Sequence, residues 1–283
     1  DVTLDTDMRG EISLKPELST LDLNKHSLTA KSLQVNSNCN VTVKNGTINI
    51  HDTNTTKAIY LYGKEAKSLS LENVTLTANN IQTAAIYCKN YSNQTASYST
   101  VNITNSTINA LGSDAVGVLM EGTDNKLTVS GSTINHKYFG ITQNGTNPGA
   151  TIELTNTKIS GPYSGLYLSN QANGAKNVLS VDGCTISSET HSPIEVKKTD
   201  ITVKNSTLIS KATTQEYEVH GGAATGVGYG VVLAGYMAGT AYEGTTLFEN
   251  NTFNLSAGES AIRILKYNGT EGVDFEKESQ PKE

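Results

Sequence analysis

Val41-Thr42-Val43-Lys44-Asn45-Gly46-Thr47-Ile48 joins two short alternations of apolar and polar residues at an Asn. Alternate side chains of an extended strand share a face, so Val41 and Val43 point the same way. The step from Val43 to Ile48 is odd, and a continuous strand would send one of them outward. The chain therefore bends at Asn45. Asn and Gly tolerate a left-handed backbone most readily, which predicts positive φ at this position.

The phrase occurs eight times in all, returning in the register Leu69/Leu71/Asn73/Thr75/Leu76, Val101/Ile103/Asn105/Thr107/Ile108, Leu127/Val129/Gly131/Thr133/Ile134 and Ile152/Leu154/Asn156/Lys158/Ile159, then Leu179/Val181/Gly183/Thr185/Ile186, Ile201/Val203/Asn205/Thr207/Leu208 and, more loosely, Thr246/Phe248/Asn250/Thr252/Phe253. Copies lie roughly 22 to 32 residues apart, with one gap of about 45, a period that belongs to stacked repeats. Each is followed by a third apolar phrase opening on a small residue: Ala58-Ile59, Ala85-Ile86, Gly117-Val118, Gly140-Ile141, Gly165-Leu166, Pro193-Ile194, Gly230-Val231 and Ala261-Ile262. Three short strands per repeat follow, rich in the β-branched residues that suit a pleated surface.

These features resemble the right-handed parallel β-helix family, the pectate-lyase-like fold, over nearly the whole chain. Leu21-Asp22-Leu23-Asn24-Lys25-His26-Ser27-Leu28 is also similar to the opening coil of bacterial surface β-helices, with Lys25 in place of a usual Gly. The expected architecture is an all-β solenoid of about nine coils with an Asn ladder at the second bend, roughly 40 Å long at about 4.8 Å per coil. Residues 1–40 are expected to form an N-terminal cap. Residues 41–267 should form the β-helix, with a loop insertion at 211–228, and 268–283 a polar tail or linker.

Composition narrows the function. Apolar residues make up 36% and charged residues 17% of 283 residues, and the net charge is -6 with no basic stripe, which argues against nucleic acid as partner. No run of about 18 apolar residues is present to span a bilayer. Cys39, Cys88 and Cys184 show no close pairing, so neither a zinc ribbon nor a disulfide framework is expected; Cys88 sits in an apolar column. The expectation is a monomer without metal or cofactor.

In the resembled family the third strand floors a substrate groove. Here its outward column reads Tyr60, Tyr87, Leu119, Thr142, Tyr167, Glu195, Val232, Arg263. Tyrosine offers a flat apolar ring and a hydroxyl, suited to sugars and proteins alike. Together with His191, Lys197, Tyr217 and His220 near the long insertion, Tyr60, Tyr87, Tyr167, Glu195 and Arg263 are the candidate ligand-binding residues. The Asn-x-Asp, Asp-Asp and Gly-His-Gly signatures of the family's hydrolases are not found, and Arg263-Ile264-Leu265 carries Leu where the family's Arg-Ile-Lys phrase has Lys. Sequons at Asn45, Asn73, Asn105, Asn205 and Asn250 coincide with the bend column. The expected function is a secreted or cell-surface binding, adhesin-like or stalk module that contacts carbohydrate or a host or neighbouring surface protein. The alternative is a polysaccharide lyase or glycoside hydrolase with an atypical site near coils four to eight, built on His191, His220, Glu195 and Arg263.

Overall fold

The computed structural model describes residues 1–50, 57–79, 83–89, 97–143, 149–168, 175–220, 223–235, 241–265 and 272–276. Among the described residues one 27-stranded sheet winds through the chain as a parallel β-helix, of the right-handed sense that parallel crossover connections take. Each coil pairs in parallel with the coil before and after it. Val41, Leu69, Val101 and Leu127 stand in one register column. Ile48, Leu76, Ile108, Ile134 and Ile159 stand in another. These columns are wholly buried, and each such aliphatic side chain contributes about 1.5–3 kcal/mol of transfer free energy. The pairing already begins within residues 1–40, where Val2–Thr3 pairs Thr20–Asp22 and Met8–Leu14 pairs Ser27–Val35.

The bend column adopts the predicted backbone. Asn45, Asn73, Asn105, Gly131, Asn156, Gly183, Asn205 and Asn250 all have φ between 47° and 62°. Asn73 donates to Asn45 Oδ1 at 3.3 Å and Asn45 to Asp22 at 3.1 Å, so amides link neighbouring coils. A second ladder lies inside the first, one residue later. Val74 N–H donates to Ser106 Oγ and Ser106 N–H to Ser132 Oγ, both at 3.0 Å. Cys184 N–H donates to Ser206 Oγ, and Ser206 N–H to Asn251 Oδ1, again at 3.0 Å. Each hydroxyl turns its own proton back to the carbonyl two residues earlier, as Ser206 does to Lys204. The bend would otherwise bury these amides unpaired. Ser206→Ala is accordingly expected to cost about 1–3 kcal/mol, the usual penalty for an orphaned buried donor, whereas Ser206→Thr should retain most of the stability in urea denaturation.

The small residue that opens the third strand has a packing cause. A Cβ on Gly117, Gly140, Gly165 or Gly230 would fall under 3.0 Å from Ile134, Ile159, Ile186 or Phe253 respectively. Each is the second-strand apolar residue of the next coil, so the corner admits no side chain. Cys88 takes its place in the apolar core, where burial pushes its thiol up to about 12.

The insertion folds as an antiparallel hairpin of Glu216–His220 and Ala223–Val227. Gln215 fastens its base by donating to Gly228 O at 3.2 Å and Ser260 O at 2.8 Å. At the end of the described rod, Gly272–Glu276 pairs antiparallel with Ser260–Leu265.

Candidate functional site

The third strands place Tyr60, Tyr87, Leu119, Thr142, Tyr167, Glu195, Val232 and Arg263 in one continuous register column. Pointing away from the core does not leave all of them in solvent. Tyr87 is 7% exposed, and Glu195 and Val232 are 0%. Loop residues and the inserted hairpin cover them. At the hairpin, Gly226 N–H donates to Glu195 Oε2 at 3.3 Å and a Cβ on Gly226 would run into Val232. Ser192 clamps the same strand, donating to Gly226 O at 2.9 Å and accepting from Tyr229 N–H at 3.1 Å.

Further along the face the cover is aromatic. Phe139 stacks on Tyr167 with centroids 4.6 Å apart and planes 10° from parallel. It also packs against the group formed by Ala84, Tyr87, Val116 and Leu119. Tyr60 stacks on Tyr62 at 5.2 Å and meets Tyr87 at 5.6 Å. The rings thus run with Leu119 from Tyr62 through Tyr60, Tyr87 and Phe139 to Tyr167, a span of about 19 Å along the rod at the usual inter-strand spacing. Beside it, Tyr138 meets Tyr163 at 4.9 Å and Tyr163 meets His191 at 4.5 Å. Tyr138 and Tyr163 are 38% and 36% exposed.

Tyr138, Phe139 and Tyr163 were not among the residues singled out by the column. Their signal is positional: Tyr138, Tyr163 and His191 each stand two residues before the small residue that opens a third strand. Loop residues aligned in this way recur once per coil, and stacking brings their side chains together.

Around the middle of the face the polar candidates divide. Lys197 Nζ lies 3.9 Å from Glu195 Oε1 and donates to the Tyr167 hydroxyl at 3.3 Å, with the ring centroid 5.4 Å away. Lys197 is 3% exposed, so this Tyr–Glu–Lys group is internal. His191 bonds through Nδ1 with Thr190 Oγ1 at 2.8 Å and joins the aromatic row. Arg263 stands two coils from Glu195 with Val232 between, opposite Asp274 in register. The side chains of Tyr217 and His220 lie outside the described part of the structure. Among the described residues no three His, Cys, Asp or Glu side chains are grouped to hold a metal ion, and no helix is long and apolar enough to cross a membrane.

At the other end of the row, Lys57 Nζ sits 3.7 Å over the Tyr60 ring and Lys89 Nζ 5.8 Å from the Tyr87 ring. Tyr87 donates its hydroxyl to Glu121 Oε1 at 2.5 Å. Burial raises the Tyr60 hydroxyl to about 12, with Tyr62 and Glu121 adding to the effect. Tyr87 is raised further by burial and by its bond to Glu121. Both phenols are neutral donors at physiological pH.

No family model matches the chain, and no curated protein matches it. Among solved structures the chain is similar to one described as the crystal structure of PfbA, a surface adhesin of Streptococcus pneumoniae, at 15% identity, covering 95% of this chain and 74% of that one with a TM-score of 0.49.

Proposed function

We propose that this β-helix is an adhesin-like or stalk-type binding module of a secreted or cell-surface protein, and that it holds an extended glycan along its third face. The aromatic row carries this reading. The exposed rings of Tyr138 and Tyr163 and the half-buried rings of Tyr60, Tyr62, Phe139 and Tyr167 offer apolar surface along the rod to the C–H faces of sugar rings. A row of about 19 Å accommodates several sugars, so the ligand would lie parallel to the rod rather than across it.

Tyr138 and Tyr163 are the most exposed rings of the set, and their loss removes little core packing. Tyr138→Ala/Tyr163→Ala is expected to weaken glycan binding by about tenfold or more, since aromatic anchors contribute upward of 1 kcal/mol each, while the melting temperature stays near that of the parent. A glycan array and titration calorimetry check this. The reading fails if the parent chain retains no glycan. Release of new reducing or unsaturated ends from a bound oligosaccharide would favour the lyase or hydrolase alternative.

A further inference from the structure

Several lysines along the rod are paired with carboxylates. Lys44 meets Asp22, Lys126 meets Glu153, Lys176 meets Asp200, Lys204 meets Glu249 and Lys211 meets Glu189, all within 4.0 Å. Lys197 is answered by Glu195 in the same way. Lys57 and Lys89 differ: among the described residues neither has a carboxylate within that distance, and both lie against tyrosine rings. Tyr60 and Tyr87, which they flank, are adjacent in register and have centroids 5.6 Å apart. The Lys57 ammonium is held below the usual lysine range by burial first and by Lys89 second, with Glu121 acting the other way. Glu121 is the described carboxylate beside them, and its Oε1 is engaged by Tyr87.

Two partly buried cations on an aromatic floor, with one carboxylate to the side, leave an excess of positive charge where a sugar ring would stack. We propose that Lys57 and Lys89, with Tyr60, Tyr62 and Tyr87, form a subsite for an acidic sugar, taking its carboxylate or sulfate ester between the two ammonium groups. This inference rests on the glycan-binding reading above and specifies the class of glycan. The sugar ring packs against the half-buried Tyr60–Tyr62 pair, and the anion accepts charge-assisted hydrogen bonds from both lysines. Glu121 repels the anion from its own side and so sets its orientation. The net charge of -6 opposes indiscriminate adsorption of polyanions, which makes this local reversal of sign selective.

The test is calorimetric titration of the whole chain with three probes: unsulfated chondroitin tetrasaccharide carrying carboxylates, sulfated isomaltotetraose carrying sulfates, and neutral isomaltotetraose. At least one charged probe is expected to bind about tenfold or more tighter than the neutral one, since charge-assisted hydrogen bonds are the stronger ones, and to weaken as salt is raised. In Lys57→Gln/Lys89→Gln that preference should vanish while neutral binding is kept; Lys57→Arg/Lys89→Arg should keep the preference and guards against a folding defect in the Gln variant. The responding probe assigns carboxylate or sulfate. Equal affinity for all three probes, or a preference that survives the Gln variant, overturns the acidic-sugar subsite and leaves the glycan reading intact. Binding of none overturns both.

Discussion

Lys197→Met is expected to cost about 3–5 kcal/mol of stability, the range for removing one partner of a buried ion pair. Glu195 is fully buried and Lys197 nearly so, and their charged groups lie 3.9 Å apart beneath the inserted hairpin. Methionine matches the length of the lysine stem, so lost volume is small and the penalty comes from the carboxylate deprived of its counter-charge. Tyr167 also loses the donor that reaches its hydroxyl. Glu195→Leu/Lys197→Met removes both charges and is expected to recover most of the loss, because two apolar groups leave no uncompensated ion. Urea denaturation of the single and double variants checks this. A single-variant loss below about 1 kcal/mol would mean the pair is not held as a pair.

The second large effect concerns acid. His136 is 3% exposed, and neither ring nitrogen makes a well-formed hydrogen bond among the described residues. It is pressed against Gly161, where an added Cβ would collide with the imidazole. Burial lowers its pKa from 6.5 to about 4, with the Tyr138 backbone opposing. The folded protein therefore holds the ring neutral over a range in which the unfolded chain binds a proton. Stability from this site is full above pH 6.5 and declines as pH falls toward about 4, by about 3 kcal/mol at 1.36 kcal/mol per unit. His136→Leu should flatten that slope. Denaturation midpoints at pH 7, 5.5 and 4 for parent and variant measure it, and parallel profiles would refute the assignment. The row formed by Tyr138, Tyr163 and His191 adjoins this residue, so acid is also expected to loosen ligand binding there.

Much of the rod was legible in the residues. Positive φ at Asn45, Asn73 and their counterparts follows from an odd apolar spacing that a flat strand cannot satisfy. The outward column from Tyr60 to Arg263 follows from period-two alternation and aligns residue by residue in the structure. Both depend on backbone sterics within a few residues. The serine ladder was less visible, because Ser106, Ser132 and Ser206 share their column with Val74, Thr157 and Cys184. Its function depends on which hydroxyl stands one coil above a buried amide.

By itself the sequence determined the coil: where the chain bends, which residues fill the core and which leave it. The tertiary structure decided what becomes of the residues that leave it. Glu195 and Val232 point outward from their strands and end wholly buried, because the hairpin inserted between them in sequence folds over them. Tyr138, Phe139 and Tyr163 arrive from loops and complete the aromatic row that Tyr60, Tyr87 and Tyr167 begin. The division has a physical cause. A pleat sets side-chain direction within two or three residues, whereas cover and exposure depend on loops of unequal length meeting across coils.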